Sequence, residues 1–233
     1  MKLLVYIPAR GGSKEIKMKN LCKIGNKCLI DFTLETIKKI KQPNYAFVST
    51  DSRKIANYCN KNGIKIKYFR PKHLAGDQSN IIDGVFDAIN WLKKEECYTP
   101  SDIMLLQPTS PFRESKKINK MLSFYRENNC DSIVSVTNMK DHPRKSLTLR
   151  KKGWSFIKKD KQNLTNRQQY ENNYYTIDGC VYISKLKFLK KYHTFVKENK
   201  TQIYNLKQKI NIDIDTQTDL DIARLIYKSN FLN

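Results

Sequence analysis

Short apolar runs alternate with amphipathic stretches along most of this chain of 233 residues. The apolar runs predict buried β-strands at residues 2–8, 45–49, 64–69, 102–107 and 131–137. Apolar side chains at helical spacing predict helices between them, at residues 29–40, 52–62, 80–94 and 114–128. The pattern therefore predicts an α/β fold with a mainly parallel sheet and helices on both faces.

This alternation stops after the fifth predicted strand. Residues 146–159 predict a hairpin centred on Gly153, and residues 160–174 are polar without clear periodicity. We interpret residues 140–175 as an insertion that forms a lid or a dimer contact within a single domain, residues 1–233.

Regular patterns return towards the end of the chain. Apolar runs predict strands at residues 179–184 and 210–214. Thr216 and Asp219, three positions apart, resemble a capping box and predict a final helix at residues 217–228.

The composition narrows the class of protein. A hydrophobic content of 39% excludes general disorder. No apolar run approaches the roughly 20 residues that span a bilayer, so we expect a soluble cytoplasmic protein with no membrane partner. The six cysteines are scattered without a CxxC pair, which favours free thiols over a zinc site or disulfides.

The charge balance points to an anionic partner. Lys and Arg number 44 against 22 Asp and Glu, a formal net charge of +22. Part of the excess lies in residues 139–167, which hold ten basic and two acidic residues. One interpretation is binding to nucleic acid, although the sequence lacks the signatures of the common nucleic-acid-binding modules. The other is a small phosphate-rich ligand on a Lys-rich background.

A glycine-containing basic loop, residues 9–20, follows the first predicted strand. Ligands of open α/β sheets bind at the carboxyl ends of strands. Paired glycines let backbone N–H groups approach an anion, and Arg10, Lys14 and Lys19 can neutralise a triphosphate. The loop is neither a Walker A motif nor a GxGxxG fingerprint, and a basic surface turn is the alternative.

Two carboxylates near the end of the chain suggest a cation site. Asp213 and Asp215 are two positions apart in a predicted extended segment, so both side chains are expected on one face. Mg²⁺ takes one or two carboxylates together with phosphate oxygens and water. The alternative is a pair of solvated carboxylates before a helix.

Several motifs occur in a fixed order along nearly the whole chain. They are the loop at 10–20, Ser-Thr-Asp-Ser at 49–52, the segment 70–75, Leu-Gln-Pro-Thr-Ser-Pro-Phe-Arg at 106–113, Arg-Gln at 167–168, and Ile-Asp-Ile-Asp-Thr at 212–216. Together they resemble the CMP-sialic acid synthetases (acylneuraminate cytidylyltransferases), relatives of the KDO cytidylyltransferases. The form of the 106–111 block resembles the sialic and legionaminic acid branch. This resemblance implies a Rossmann-like nucleotidyltransferase fold with a small inserted dimerisation element.

The resemblance also implies residue roles. CTP would be bound by Ala9, Arg10, Gly11, Ser13, Lys14, Lys19, Asn20, Gln107, Thr109 and Ser110. The sugar acid would be bound by Gln107, Arg167, Gln168, Tyr175, Asp178 and Gly179. Arg10, Lys19, Asp213 and Asp215 would be catalytic, with the two aspartates also holding Mg²⁺. Asp51 would either contact the ligand or, with Ser52, cap the next helix.

The implied reaction transfers CMP from CTP to the anomeric hydroxyl of a nine-carbon 2-keto sugar acid and releases pyrophosphate. Asp178 stands where the family usually has Asn, which leaves a related cytidylyltransferase for KDO or another 2-keto sugar acid as an alternative. No residue stands out as a general base. We expect a homodimer with no nucleic-acid partner.

Overall fold

The computed structural model describes residues 2–42, 44–139, 141, 143–157 and 174–229. Within these ranges the strands are β1 Leu3–Pro8, β2 Lys23–Ile24, β3 Lys27–Cys28, β4 Asn44–Ser49, β5 Asp102–Leu105, β6 Ser132–Asn138, β7 Leu147–Leu149, β8 Trp154–Phe156, β9 Tyr175–Lys185 and β10 Gln202–Asn205. The α-helices are α1 Leu29–Lys38, α2 Arg53–Lys61, α3 Ile81–Glu96, α4 Ser115–Glu127, α5 Leu186–Tyr192 and α6 Gln217–Lys228. Short 3-10 helices lie at Lys19–Leu21, Lys72–Leu74 and Pro143–Lys145.

A six-stranded sheet in the order β10-β6-β9-β5-β1-β4 forms the centre of the protein. β1 pairs in parallel with β4 and β5, and β10 pairs in parallel with β6. β9 is antiparallel to both of its neighbours, β5 and β6. The predicted α/β fold with a mainly parallel sheet is confirmed.

Strand β1 shows why both faces of the sheet are covered. Its alternate side chains point to opposite faces, and Leu3, Val5 and Ile7 join a core that α1, α2 and α4 complete. Leu4 and Tyr6 join the opposite core, against α3 and α5. A strand buried on both faces reads as the continuous apolar run seen in the sequence.

Two predicted strands are wrong. Residues 64–69 make only an isolated bridge, from Phe69 to Thr50, and the Ile66 N–H donates instead to the Asn60 side chain at 2.7 Å. Residues 210–214 form no strand because the isoleucines at 210, 212 and 214 pack with α6 in a separate small core. In both segments the apolar side chains find partners without a ladder of backbone hydrogen bonds.

The structure also contains elements that the pattern did not predict, namely α5, β10 and the β2–β3 hairpin. β9 begins at Tyr175, earlier than the predicted start at residue 179. The predicted hairpin is confirmed as β7 and β8, and the capping box is confirmed, since the Thr216 side chain accepts from the Asp219 N–H. No helix in the described part of the chain has the length and apolarity needed to cross a membrane.

Candidate active site

A cavity of about 340 Å³, here called the first cavity, opens at the carboxyl ends of β1 and β5. Its lining comes from segments far apart in sequence. The lining residues that the sequence predicted for the site are Arg10, Ser13, Lys19, Asn20, Gln107, Thr109, Asp213 and Asp215. The basic loop and the two predicted carboxylates therefore meet in one place.

Hydrogen bonds within the protein hold the basic loop in shape. The Gly11 N–H donates to Asp51 Oδ1 at 2.8 Å, and the Asn20 amide donates to the Arg10 carbonyl at 3.0 Å. A Cβ on Gly11 would lie 2.7 Å from the Ser52 Cβ, so only glycine fits this close approach. Ser52 caps α2, as predicted, whereas Asp51 fixes the loop, a role that the sequence did not indicate; a ligand role for Asp51 stays a prediction.

Asp77, which the sequence did not predict for the site, forms ion pairs with two basic residues of the loop. Arg10 Nη1 contacts Asp77 Oδ1 at 2.6 Å, and Lys14 Nζ contacts Asp77 Oδ2 at 2.8 Å. Hydrogen bonds from Lys14 and Arg10 hold the pKa of Asp77 below its usual range, so it stays ionised at neutral pH. A single Asp in a loop gave no signal in the sequence, because its role depends on tertiary contact.

Lys19 joins the basic loop to the two carboxylates. Its Nζ donates to the Ile214 carbonyl at 2.7 Å and to Asp215 Oδ1 at 3.0 Å. The lysine is mostly buried, whereas the Asp215 side chain is 71% exposed. Lys19 therefore places a fixed positive charge beside the end of the cavity that holds Asp213 and Asp215.

Asp213 lies in a less polar environment than Asp215. Burial raises the pKa of the Asp213 carboxyl, and the nearby negative charge of Asp215 adds to this effect. Thr109, Lys19 and Arg113 act in the opposite direction. The two carboxylates repel each other, which a cation between them would relieve.

The two carboxylates fit Mg²⁺. This ion keeps several water ligands and binds through one or two carboxylates plus substrate phosphates. Among the described residues, no cluster of three or more metal-binding side chains is present. Asp213 and Asp215, beside the basic loop, are a donor set of the size that Mg²⁺ with a bound phosphate requires.

A second cavity of about 300 Å³ adjoins the first. Residues from β9 and the segment before α6 form most of its wall, which is lined by Gln107, Thr176, Ile177, Asp178, Gly179, Tyr182, Asn211 and Asp213. Gln107 and Asp213 line both cavities. These two side chains mark the junction where a ligand in one cavity would meet a ligand in the other.

Gly179 lies at this junction with a backbone conformation that favours glycine. Its φ is +72°, in the left-handed region. A Cβ at this position would lie 3.4 Å from Asp213 Oδ2, 3.6 Å from Ser110 Oγ and 3.8 Å from Gln107 Oε1. A methyl group here would lie in van der Waals contact with the groups that define the junction, and the backbone conformation is what requires glycine.

We expect Gly179→Ala to lower both activity and stability. The left-handed conformation alone costs about 1–2 kcal/mol for a non-glycine residue. Relief of this strain would move the backbone that lies against Asp213 and Gln107, so kcat should fall more than the stability loss explains. Chemical denaturation and initial rates measure the two effects. As a control, Gly63→Ala has the same kind of strain (φ +83°) in open space and should lose stability only.

Other residues predicted for the site lie at or beyond its edge. Ala9 is buried and its N–H donates to the Ser49 carbonyl at 2.9 Å, while Tyr175, at the start of β9, is absent from both linings. Asp178 lines the second cavity, but its Oδ1 also accepts from the Ser135 hydroxyl and the Cys180 N–H. Arg167 and Gln168 lie outside the described residues. Their roles stay predictions.

A basic loop and a carboxylate pair at the strand ends of such a sheet define a nucleotide-binding α/β protein of the nucleotidyltransferase type. Solved structures share the fold: a CMP-2-keto-3-deoxy-manno-octonic acid synthetase complexed with CTP superposes with a TM-score of 0.70 at 14% identity, covering 99% of this chain and 100% of that one. A 4-diphosphocytidyl-2C-methyl-D-erythritol synthase gives 0.67 at 11% identity, covering 97% and 98%. The cytidylyltransferase family model matches residues 4–232, and the chain belongs to this family.

Curated proteins that are similar in sequence act on acidic sugars. The chain is 28% identical to the CMP-N,N'-diacetyllegionaminic acid synthase of Legionella pneumophila, over 99% of this chain and 98% of that protein. It is 29% identical to an N-acylneuraminate cytidylyltransferase of Streptococcus agalactiae over 94% of this chain. It spans only 52% of that Streptococcus protein's length. A pseudaminic acid cytidylyltransferase of Campylobacter jejuni is 24% identical over 99% of this chain and 98% of that protein.

Proposed function

We propose that the protein transfers CMP from CTP to the anomeric hydroxyl of a nine-carbon 2-keto sugar acid of the sialic or legionaminic type, releasing pyrophosphate. The observation that carries this proposal is the pair of adjoining cavities that share Gln107 and Asp213. A transfer reaction needs two ligands side by side with their reacting atoms at a common boundary. The names of the relatives from Streptococcus and Legionella support this choice of substrates.

The first cavity would hold CTP. Arg10, Lys14 and Lys19 supply positive charge to the triphosphate, and Ser13 and Asn20 lie beside them. Catalysis of phosphoryl-type transfer consists mainly of positioning and charge neutralisation. The geometry that Lys19 and the loop hydrogen bonds impose before the ligand arrives would lower the reorganisation needed for reaction.

The second cavity would hold the sugar acid. Asp178 and Gly179 line it, and Gln107 and Asp213 form its boundary with the first cavity. A sugar bound here would direct its anomeric hydroxyl at the α-phosphorus of CTP. Mg²⁺ held by Asp213 and Asp215 would neutralise phosphate charge and lower the pKa of a hydroxyl bound to it.

We expect Asp77→Asn to bind CTP several-fold more tightly than the unmodified protein. Asp77 occupies the cations of Arg10 and Lys14 in the free protein, so the triphosphate must displace it. Exposed ion pairs contribute little, so the affinity change should not exceed about fivefold. Calorimetric titration with CTP measures the change. Asp83→Asn, which removes an exposed carboxylate on α3 that contacts His193, is the control, and weaker binding by Asp77→Asn would contradict the expectation.

Pyrophosphate release tests the proposed reaction. The protein is incubated with CTP and Mg²⁺, and separately with N-acetylneuraminic, diacetyllegionaminic, pseudaminic and KDO acids. Release with one of the first two supports the proposal. Release with KDO or pseudaminic acid alone favours the corresponding alternative cytidylyltransferase, and release with none refutes the proposed activity.

We also propose that the β7–β8 hairpin contacts a second copy of the chain. Leu149 is 82% exposed and Trp154 is 58% exposed, and Leu147 and Phe156 on the same hairpin are also exposed. So much exposed apolar surface on one small insertion is typical of an interaction site.

Sedimentation velocity tests this assembly. We expect the unmodified protein to be dimeric and Leu149→Asp to shift it towards monomer. Leu225→Asp, at a 68% exposed leucine on α6, is the matched control and should leave the assembly unchanged. A monomeric unmodified protein would refute the proposal.

A further inference from the structure

A buried arginine, Arg113, connects the site loop to two other elements. It lies between β5 and α4 and is only 7% exposed. Its Nε donates to the Cys180 carbonyl at 2.8 Å, and its Nη1 donates to Thr33 Oγ1 at 3.0 Å. Its Nη2 donates to the Gln107 carbonyl. One guanidinium thus ties together the loop after β5, helix α1 and strand β9.

This arginine has no carboxylate partner at ion-pair distance among the described residues, and its three acceptors are uncharged. Burial lowers the pKa of Arg113, while the negative charges of Asp213 and Asp178 act on it favourably from further away. Removing a charge from water costs several kcal/mol. An apolar residue of similar volume would often make the protein at least as stable as a buried arginine does. Core stability alone is therefore a poor explanation for a charged group here.

The three acceptors explain the placement better. Gln107 lines both cavities and Cys180 directly follows Gly179, so one bonded carbonyl belongs to the junction and another lies next to it. A guanidinium is planar with donors in a fixed fork. Its hydrogen bonds therefore set the distance between the backbone at Gln107 and the backbone at Gly179.

We propose that Arg113 is a positioning residue that holds Gln107 and the backbone beside Gly179 at the junction of the two cavities, and thereby governs use of the sugar acid more than binding of CTP. Arg113 lines neither cavity, so it acts through these neighbours. This inference rests on the proposed two-substrate function.

The CTP side of the site is held by different bonds. Asp51 fixes Gly11, Asn20 fixes the carbonyl of Arg10, and Lys19 bonds to Ile214 and Asp215. None of these hydrogen bonds involves Arg113. A disturbance at Arg113 should therefore leave the basic loop as it is.

A pair of isosteric variants on one helix tests the inference. Thr33→Val removes the hydroxyl that accepts from Arg113. Thr36→Val removes a buried hydroxyl that, among the described residues, donates to the Phe32 carbonyl and has no bond to Arg113. We expect Thr33→Val to lower kcat/KM for the sugar acid by about tenfold, and Arg113→Lys by up to about 100-fold, as for other residues that orient site groups. The CTP dissociation constant should change much less than kcat/KM for the sugar acid, since the bonds of the basic loop are untouched and only Gln107 is shared. Thr36→Val should leave both quantities unchanged.

Amide hydrogen exchange provides a readout that does not need turnover. Peptides covering residues 107–110 and 178–181 should exchange faster in Thr33→Val and Arg113→Lys than in Thr36→Val. If the unmodified protein turns over no sugar acid, the proposed function fails and the exchange data alone decide the role of Arg113. Kinetics or exchange in Thr33→Val that match Thr36→Val, or an equal loss of CTP binding, would overturn the inference.

Discussion

Replacing Asp213 by Asn is expected to lower kcat by at least about 100-fold, because loss of an outer partner of a metal site already costs 10–100-fold. Asp213 lines both cavities and is one of the two carboxylates that fit Mg²⁺ beside the basic loop. An amide has the shape of the carboxylate but lacks its charge. The variant should therefore keep its fold and lose its ability to neutralise and place a cation.

The same substitution should not lower stability. Burial raises the pKa of Asp213 in the folded protein, with Asp215 adding to the shift, so the ionised form is disfavoured by folding. This cost is present at neutral pH and is relieved only as the pH falls through the raised folded pKa. Asn removes the cost, and the thermal midpoint should stay equal or rise, as is common where a site trades stability for activity.

Initial rates of pyrophosphate release and thermal melts at neutral pH check both parts. Asp221→Asn, which removes an exposed carboxylate on α6 outside both cavities, is the matched control. Turnover by Asp213→Asn at the rate of this control would show that Asp213 does not hold a catalytic cation. A large fall in the melting temperature would show that its main role is structural.

The second large effect is expected for Lys19→Met, which keeps the length and apolar stem of the side chain but removes the charge. Lys19 Nζ bonds to the Ile214 carbonyl and to Asp215 Oδ1 and also faces the first cavity. We expect kcat/KM for CTP to fall about 100-fold, similar to the loss of one donor that stabilises developing charge. Stability should fall by about 1–3 kcal/mol because a buried acceptor loses its partner.

The control for this variant is Lys27→Met, since Lys27 also pairs with a carboxylate, Glu35 at 2.7 Å, but lies away from both cavities. Steady-state kinetics and urea denaturation of the two variants separate catalysis from stability. If both variants lose activity equally, Lys19 has no specific role in the site.

The sequence-based predictions are accurate where the feature depends on neighbouring residues in the chain and fail where it depends on distant ones. β1 is buried on both faces, and its continuous apolar run identified it directly; the buried apolar residues of β5 and β6 identified those strands as well. Residues 64–69 and 210–214 carry similar apolar alternation but bury it against side chains without joining the sheet. Hydrophobic periodicity predicts burial, whereas strand pairing depends on which backbone lies beside it.

Part of the candidate site was also predicted from the sequence. The basic loop, Gln107 and the pair Asp213 and Asp215 stood in recognisable motifs, and the structure brings them into one cavity. Asp213 and Asp215 do lie together at the site, as predicted. The segment that carries them is not a strand, so the predicted strand did not place them there. Asp77 had no motif, and Arg113, although part of one, had no predicted role.

The sequence by itself determined the α/β class, the location of the basic loop at a strand end, and the membership of a cytidylyltransferase family. These follow from periodicity and from short motifs, which are properties of neighbouring residues. Only the tertiary structure decided that Asp77 covers the loop cations, that Gly179 faces Asp213, and that Arg113 joins three elements. Each of these depends on contacts between residues far apart in the chain, and no local pattern specifies such contacts.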